Sequence, residues 1–231
     1  MKLDNFKSLI ELFYYQADKQ DPKSIFLQWL NPVNKKTFTW EETKLNIFKL
    51  SKIIKENIKE GDRCLLVSEN RPEWFISDLA IMLCGGITVP AYTTYTEEDY
   101  KYLIEDCEPR LIIVSNNDML KKLNKIINEK DFIKKIITLD EVHKVISNLN
   151  INSKEKYLDF GDIIKNDLSE KDKIQNNNLK RTSAACIIYT SGTGGNPKGV
   201  ILSHGGILNN IEGACEILKP LIDKKPIFLT W

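Results

Sequence analysis

This sequence of 231 residues has few histidines, no closely spaced pair of cysteines and almost no net charge. It contains two histidines, and its 33 basic and 32 acidic residues leave a formal net charge of +1. Without an excess of positive charge the chain has no general attraction to nucleic acid, so we expect no nucleic-acid partner. The five cysteines are odd in number and form no CxxC pair. This argues against a disulfide framework or a zinc site and favours the reducing cytoplasm.

Long hydrophobic runs are also missing. The longest apolar stretch, Leu79 to Tyr92, is shorter than the roughly 20 residues that span a bilayer, and Pro90 interrupts it. The N-terminus has early acidic residues and no apolar segment, so we expect no signal peptide. We therefore predict no transmembrane segment and a cytoplasmic protein, whose contact with a membrane, if it makes one, is peripheral.

Helix and strand patterns alternate along the first part of the chain. Two capping boxes, Thr39 with Glu42 and Thr96 with Asp99, mark helix starts, and Pro72 marks another. The remaining predicted elements are a helix over 119–127 and apolar strands over 64–67, 87–91, 111–114 and 133–139. This alternation predicts an α/β fold with a mainly parallel sheet covered by helices.

A polar stretch rich in asparagine and lysine follows, over about 148–180. It predicts a surface connection with one short helix around 160–164. The segment 184–231 then predicts a strand over 184–189, a glycine-rich loop, a strand over 200–202 and a helix over 207–218.

The glycine-rich loop is the most unusual segment, and it reads YTSGTGGNPKG from Tyr189 to Gly199. Its glycines expose backbone N–H groups and permit positive φ, and its three hydroxyls add short donors. Lys198 adds a positive charge. These features at the end of a strand predict a concave site for phosphate groups. A mobile surface hairpin with a solvated lysine is the alternative interpretation.

Other nucleophile and phosphate motifs do not match. The P-loop lysine directly follows a glycine and precedes a hydroxyl residue, whereas Lys198 follows a proline. The dinucleotide fingerprint opens a helix, whereas a strand pattern follows this loop. Ser203 and His204 suggest a hydrolase, but neighbours on a strand face opposite ways and no G-x-S-x-G elbow is present. We therefore interpret His204 as structural.

With its flanking strands, the loop resembles the signature segment of the adenylate-forming (AMP-binding) superfamily. That superfamily includes acyl-CoA synthetases and luciferase-like enzymes. Three upstream blocks are similar, in the same order, to bacterial long-chain fatty acid CoA ligases: Glu69–Trp74, Val89–Tyr92 and Leu111–Val114. Gly194 stands where the family usually has a hydroxyl residue, so one donor is missing. We assign the Arg-Pro-Glu-Trp block a structural role, in which Pro72 starts a helix and Trp74 packs beneath it.

The resemblance implies ATP-dependent activation of a carboxylic acid, through an acyl-adenylate, to an acyl-CoA thioester. A long-chain fatty acid is the expected substrate, coenzyme A the co-substrate and Mg²⁺ the cofactor; a medium-chain or aryl acid stays open. The nucleotide-binding residues that it implies are Thr190, Ser191, Gly192, Thr193, Gly194, Gly195 and Lys198. Thr190 is also the residue expected to help position Mg²⁺.

The resemblance further implies that residues 1–231 are a partial N-terminal AMP-binding domain. The apolar run over 226–231 predicts a strand cut short, so we expect a piece of a longer protein without its C-terminal domain. No catalytic residue is expected within it, and we expect it to be inactive in adenylation alone. A non-catalytic nucleotide- or pyrophosphate-binding module is one alternative. An unrelated α/β protein with a convergent loop is the other.

Overall fold

The computed structural model describes residues 2–30, 35–141, 153–173, 178–190, 196–222 and 227–228. Its helices are α1 (Leu9–Ala17), α2 (Trp40–Lys55), α3 (Pro72–Leu83), α4 (Glu97–Cys107), α5 (Asn117–Glu129), α6 (Phe160–Ile163) and α7 (His204–Ile222). Its strands are β1 (Ile25–Leu30), β2 (Lys35–Thr39), β3 (Arg63–Val67), β4 (Ile87–Ala91), β5 (Leu111–Val114), β6 (Lys135–Thr138), β7 (Tyr157–Asp159), β8 (Ala184–Thr190) and β9 (Lys198–Ser203). Within the described ranges, no helix combines the length and the apolar character needed to cross a membrane.

The described strands form a two-stranded hairpin, β1–β2, and a seven-stranded sheet in the order β7-β6-β5-β3-β4-β8-β9. All neighbouring pairs in the larger sheet are parallel except β8–β9, which is antiparallel. Parallel neighbours need crossover connections, and the helices between the strands provide them. The predicted α/β fold with a mainly parallel sheet is confirmed.

Alternate residues of β3 show how the helices cover the sheet. Cys64 and Leu66 pack into one apolar cluster with residues of α1, α2 and α3. Leu65 and Val67 point the other way, into a second cluster with residues of α4 and α5. Because side chains alternate along a strand, both faces of the sheet are buried at β3, whereas β9 at the sheet edge is largely exposed. A continuous apolar strand is the sequence pattern that such burial requires.

The predicted helix starts are confirmed by their caps. The Thr39 hydroxyl accepts from the N–H of Glu42 at 3.1 Å, and the Glu42 carboxylate accepts from the N–H of Thr39 at 2.8 Å. Thr96 and Asp99 repeat this exchange at the start of α4. Pro72 is the first residue of α3, where its missing N–H costs no intrahelical hydrogen bond.

Among the α-helices and strands of the described residues, four were not predicted: α1, β1, β2 and β7. The hairpin strands are half-exposed rather than continuously apolar, and β7 is three residues long within the polar connection. The short helix expected there is present as α6. Of the strand expected over 226–231, the described residues Ile227 and Phe228 are exposed and lie in no strand.

The five cysteines are free, as their spacing predicted. Cys64, Cys107 and Cys186 are buried, and Cys84 and Cys215 are half-buried. Burial raises the pKa of the Cys107 thiol to about 12, so it is an uncharged core group.

Candidate functional site

The glycine-rich loop connects β8 to β9 at the edge of the sheet, and these strands pair antiparallel. Thr190 is the last residue of β8 and Lys198 is the first residue of β9. The predicted site residues Ser191, Gly192, Thr193, Gly194 and Gly195 lie outside the described residues. The geometry of the site therefore rests on the two strand ends that enter and leave the loop.

The structure brings Thr190 and Lys198 together. They are register partners in the β8–β9 ladder, directly opposite one another. Opposite residues of an antiparallel pair project from the same face, with their Cβ atoms about 4.5–5.5 Å apart. Both residues are exposed. A hydroxyl and an ammonium group thus lie side by side at the mouth of the loop.

This pair of groups fits a phosphate. Among the described residues, the Lys198 ammonium has no ion pair or hydrogen bond, so no neighbouring carboxylate offsets its charge. Lysine binds phosphate as a point charge, and a hydroxyl can donate to a phosphate oxygen. The arrangement can therefore hold an anion with several oxygen atoms.

Mg²⁺ fits the site only together with a phosphate. The described residues contain no cluster of histidine, cysteine, aspartate or glutamate able to hold a metal ion. Thr190 offers a single neutral oxygen. Mg²⁺ commonly takes one or two protein ligands and completes its shell with water and substrate phosphates, so this oxygen suits a metal ion that arrives with a nucleotide.

Contacts on the opposite face of the hairpin explain why residue 199, the last of the Pro-Lys-Gly segment, is a glycine. Tyr189 and Gly199 are register partners, and a Cβ added at Gly199 would lie 2.8 Å from Cγ2 of Ile187 and 3.2 Å from Cζ of Tyr189. As one of the glycines of this segment, Gly199 was expected to expose its backbone N–H group. The structure gives it a further role, because the side chains of Ile187 and Tyr189 pack where its own side chain would be.

Helix α4 supplies two contacts that the sequence did not indicate. The Tyr102 hydroxyl donates to the carbonyl of Pro197 at 2.8 Å, and the Tyr189 hydroxyl donates to Oδ2 of Asp106 at 2.5 Å. Burial and the Asp106 carboxylate together raise the pKa of Tyr189, so its proton stays in place. The sequence shows that Tyr102 and Asp106 are four positions apart and so share one face of α4. Only the fold shows that this face contacts the β8–β9 hairpin.

Ser203 and His204 do not form a hydrolase pair. The Ser203 hydroxyl accepts from the N–H of Gly206 at 3.1 Å and so caps α7. His204 is fully buried, and its Nδ1 accepts from the N–H of Leu9 at 3.4 Å. Burial lowers the pKa of His204 to about 4, which keeps the ring neutral. The structural role predicted for His204 is confirmed.

The Arg-Pro-Glu-Trp block holds a buried ion pair. The Arg71 guanidinium donates to both carboxylate oxygens of Glu73, at 2.9 and 3.1 Å, and forms an ion pair with Asp140 at 3.0 Å. It also lies over the Trp29 ring, 4.6 Å from the centroid. Lys36 donates to Glu73 at 2.8 Å. Burial would raise the pKa of Glu73, but the hydrogen bonds from Arg71 and Lys36 outweigh it and hold that pKa low.

The ion pair joins three parts of the fold: the β1–β2 hairpin, the start of α3 and the residues after β6. Trp74 is half-buried against the apolar cluster under α3. Pro72, as the first residue of α3, and Trp74, packed against this cluster, thus have the structural roles that the sequence indicated.

A protein-family model described as "AMP-binding enzyme" matches residues 13–230. The long-chain-fatty-acid–CoA ligase ACSBG2 of Xenopus laevis is 34% identical over 138 residues, which cover 60% of this chain and 18% of the relative. Long chain acyl-CoA synthetase 3 of Arabidopsis thaliana is 29% identical over 203 residues, which cover 84% of this chain and 29% of the relative. The chain therefore spans less than a third of the length of these curated relatives.

A solved structure shows the same fold. The luciferase-like enzyme from the nonluminescent Zophobas morio mealworm matches with a TM-score of 0.76 at 19% identity, covering 93% of this chain and 46% of that one. The order of helices and strands described above is thus one that an experimental structure also contains.

Proposed function

Because this chain belongs to the AMP-binding enzyme family, we propose that its β8–β9 loop binds the phosphates of ATP during the activation of a carboxylic acid. The observation that carries the proposal is the cross-strand pair of Thr190 and Lys198, which sets an uncompensated ammonium beside a hydroxyl at the loop. The proposed phosphate contacts are Thr190, Ser191, Gly192, Thr193, Gly194, Gly195 and Lys198.

The proposed reaction has two steps. A carboxylate oxygen attacks the α-phosphorus of ATP, which gives an acyl-adenylate and releases pyrophosphate. The thiolate of coenzyme A then attacks the acyl carbonyl carbon, and AMP leaves. Since the curated relatives are named for long-chain fatty acids, we propose a long-chain fatty acid as the substrate.

The residues of this chain act on the leaving group. Lys198 offsets the negative charge that builds on pyrophosphate, and the Thr190 hydroxyl donates to one of its oxygens. Mg²⁺, when bound with the nucleotide, would add further positive charge at the phosphates, with Thr190 as one of its oxygen ligands. Holding ATP by its phosphates also places the α-phosphorus for in-line attack.

We further propose that residues 1–231 form the N-terminal part of a larger adenylation domain. The groups that bind the acid, the adenine and coenzyme A would then come from outside this sequence. We place the protein in the cytoplasm, with peripheral contact to membranes as a source of fatty acid.

Calorimetric titration of the chain with pyrophosphate and with MgATP tests the phosphate site. We expect Lys198→Ala to weaken binding about 10- to 100-fold, the range for losing a charge-assisted hydrogen bond. Lys101→Ala, which removes an exposed lysine on α4, is the matched control. Wild-type affinity in Lys198→Ala would refute the site.

Acid-dependent exchange of labelled pyrophosphate into ATP tests the reaction. The assay compares the 231-residue chain with any longer product of the same reading frame. We expect exchange with the longer product and none with residues 1–231. Phosphate binding without exchange in every form would favour a non-catalytic binding module instead.

A further inference from the structure

Helix α4 holds both ends of the glycine-rich loop. The Tyr102 hydroxyl donates to the carbonyl of Pro197, one residue before Lys198. The Asp106 carboxylate accepts from the hydroxyl of Tyr189, one residue before Thr190. Each hydrogen bond therefore acts one residue away from a proposed phosphate contact.

The two α4 residues are suited to act together. Tyr102 and Asp106 are four positions apart, so they lie on one face of the helix, one turn from each other. The helix itself is firmly placed: it begins at the Thr96 capping box and buries Tyr100, Leu103, Ile104 and Cys107 against the sheet. A rigid element thus presents one donor and one acceptor to the hairpin.

The hairpin end needs such support. β9 is the edge strand of the sheet and pairs with β8. The register that joins β8 to β4 lies at Cys186, four residues before Thr190. Counted forward from that pair, Ala91, the last residue of β4, comes opposite Tyr189, so Thr190 lies one residue past the end of this neighbour. Without α4, the positions of Thr190 and Lys198 would depend mainly on the β8–β9 ladder, and the ends of two-stranded ribbons open easily.

We propose that Tyr102 and Asp106 are positioning residues that fix the loop ends and hold Thr190 and Lys198 in phosphate-binding register. Gly199 also contributes, because the absence of a side chain there leaves room for the Tyr189 ring, whose hydroxyl reaches Asp106. The expected effect of these residues on ligand binding rests on the proposed function, whereas their expected effect on the mobility of the loop ends is independent of it.

Two substitutions remove the contacts, and each has a matched control. Tyr102→Phe removes one hydroxyl, and its control Tyr92→Phe removes the hydroxyl of an exposed tyrosine. Asp106→Ala removes the acceptor, and its control Glu105→Ala removes the adjacent carboxylate, which pairs with Lys130 instead. Asp106→Asn keeps an acceptor oxygen and serves as the conservative variant.

Hydrogen exchange without ligand gives the first measurement. We expect amides of residues 189–190 and 198–199 to exchange about 2- to 10-fold faster in Tyr102→Phe and Asp106→Ala, the factor for losing one hydrogen bond. Exchange in β3 and β5 should stay at the wild-type rate, as should the whole pattern in both controls. Unchanged exchange at the loop ends would overturn the proposal. Faster exchange throughout the sheet would also overturn it, because the contacts would then stabilise the domain as a whole.

Pyrophosphate titration gives the second measurement. We expect affinity to fall about 2- to 10-fold in Tyr102→Phe and Asp106→Ala, and to recover in Asp106→Asn. Equal loss in Asp106→Asn and Asp106→Ala would show that charge, not position, is what Asp106 contributes, and would refute its role. If the wild-type chain bound no pyrophosphate, the proposed function would fail, while the exchange rates would still decide the role of α4.

Discussion

Replacing Arg71 by alanine should destabilise this domain more than any exposed substitution. The guanidinium and the Glu73 carboxylate are 0% and 1% exposed. Removing one partner of a buried pair costs about 3–5 kcal/mol, since the remaining charge stays buried. Lys36 still reaches Glu73, and Asp140 is 46% exposed and can be hydrated. Because of these two features, we expect the free energy of unfolding to fall by about 3 kcal/mol, the lower end of that range.

The double variant Arg71→Met with Glu73→Gln separates charge burial from packing. It leaves no buried charge at the site, so we expect it to be about 2 kcal/mol more stable than Arg71→Ala. Urea unfolding followed by circular dichroism measures both values at pH 7. The single substitution should also lower the melting temperature by about 6–12 °C. Lys121→Ala, which removes an exposed ion pair with Asp118, serves as the control and should leave the unfolding curve unchanged.

Acid adds a second test of the same ion pair. The pKa of Glu73 is below its ordinary value of 4.5 in the fold. Its charged form thus contributes stability that is present above pH 4.5 and is lost as pH falls through the folded pKa. Arg71→Ala should reduce this acid-dependent loss. A single variant within about 1 kcal/mol of wild type, or a double variant less stable than the single, would refute this reasoning.

Three further substitutions have definite expected outcomes. Gly199→Ala should lower the free energy of unfolding by about 1–3 kcal/mol, because the added methyl group overpacks the contact. Gly213→Ala is the control: an added Cβ there meets nothing within 4 Å, so the free energy of unfolding should rise by up to about 1 kcal/mol through helix propensity in α7. Equal effects of the two substitutions in urea unfolding would contradict the contact with Tyr189. Burial lowers the pKa of His204 from 6.5 to about 4. The unfolded state therefore takes up the proton first, and the free energy of unfolding of the wild type should fall by up to about 3 kcal/mol as pH falls from 6.5 toward 4. His204→Gln should flatten that slope, and a slope that stays the same would refute the assignment. Ser203→Ala should cost about 1 kcal/mol as a lost helix cap and leave pyrophosphate affinity unchanged; a weaker affinity would instead connect its hydroxyl with the site.

Local chemistry explains which parts of the fold could be predicted. Thr39 and Thr96 mark helix starts through hydrogen bonds to residues three positions away, and Pro72 marks one because the first turn of a helix does not need its missing N–H. The strand β5 was predicted with its observed bounds because its apolar residues are contiguous in the sequence. In contrast, β7 is a three-residue strand, and each of its residues pairs with a β6 residue 21 positions earlier in the chain.

The candidate site divides in the same way. The loop composition indicated phosphate binding and put Thr190 and Lys198 inside the loop, whereas the structure makes them the last residue of β8 and the first residue of β9. That they face one another follows from the β8–β9 register, which no local pattern gives. The contacts of Tyr102 with Pro197 and of Asp106 with Tyr189 join residues 95 and 83 positions apart. The phosphate-binding roles of Thr190, of Lys198 and of residues 191–195 stay a prediction.

The hydrogen bond between Leu9 and His204 bears on how the chain is assembled during synthesis. Arg181 strengthens the same junction by donating to the carbonyls of Leu3 and Phe6 at 3.0 and 2.9 Å. Residues 3–9 therefore wait for partners that are made 175 to 195 residues later in the chain. At a translation rate of about 5–20 residues per second, that delay is roughly 10–40 s. The apolar face of α1 packs with α2 and α3, which are made much sooner, so the residues before α1 and its first turn are the part of this region that is fixed last.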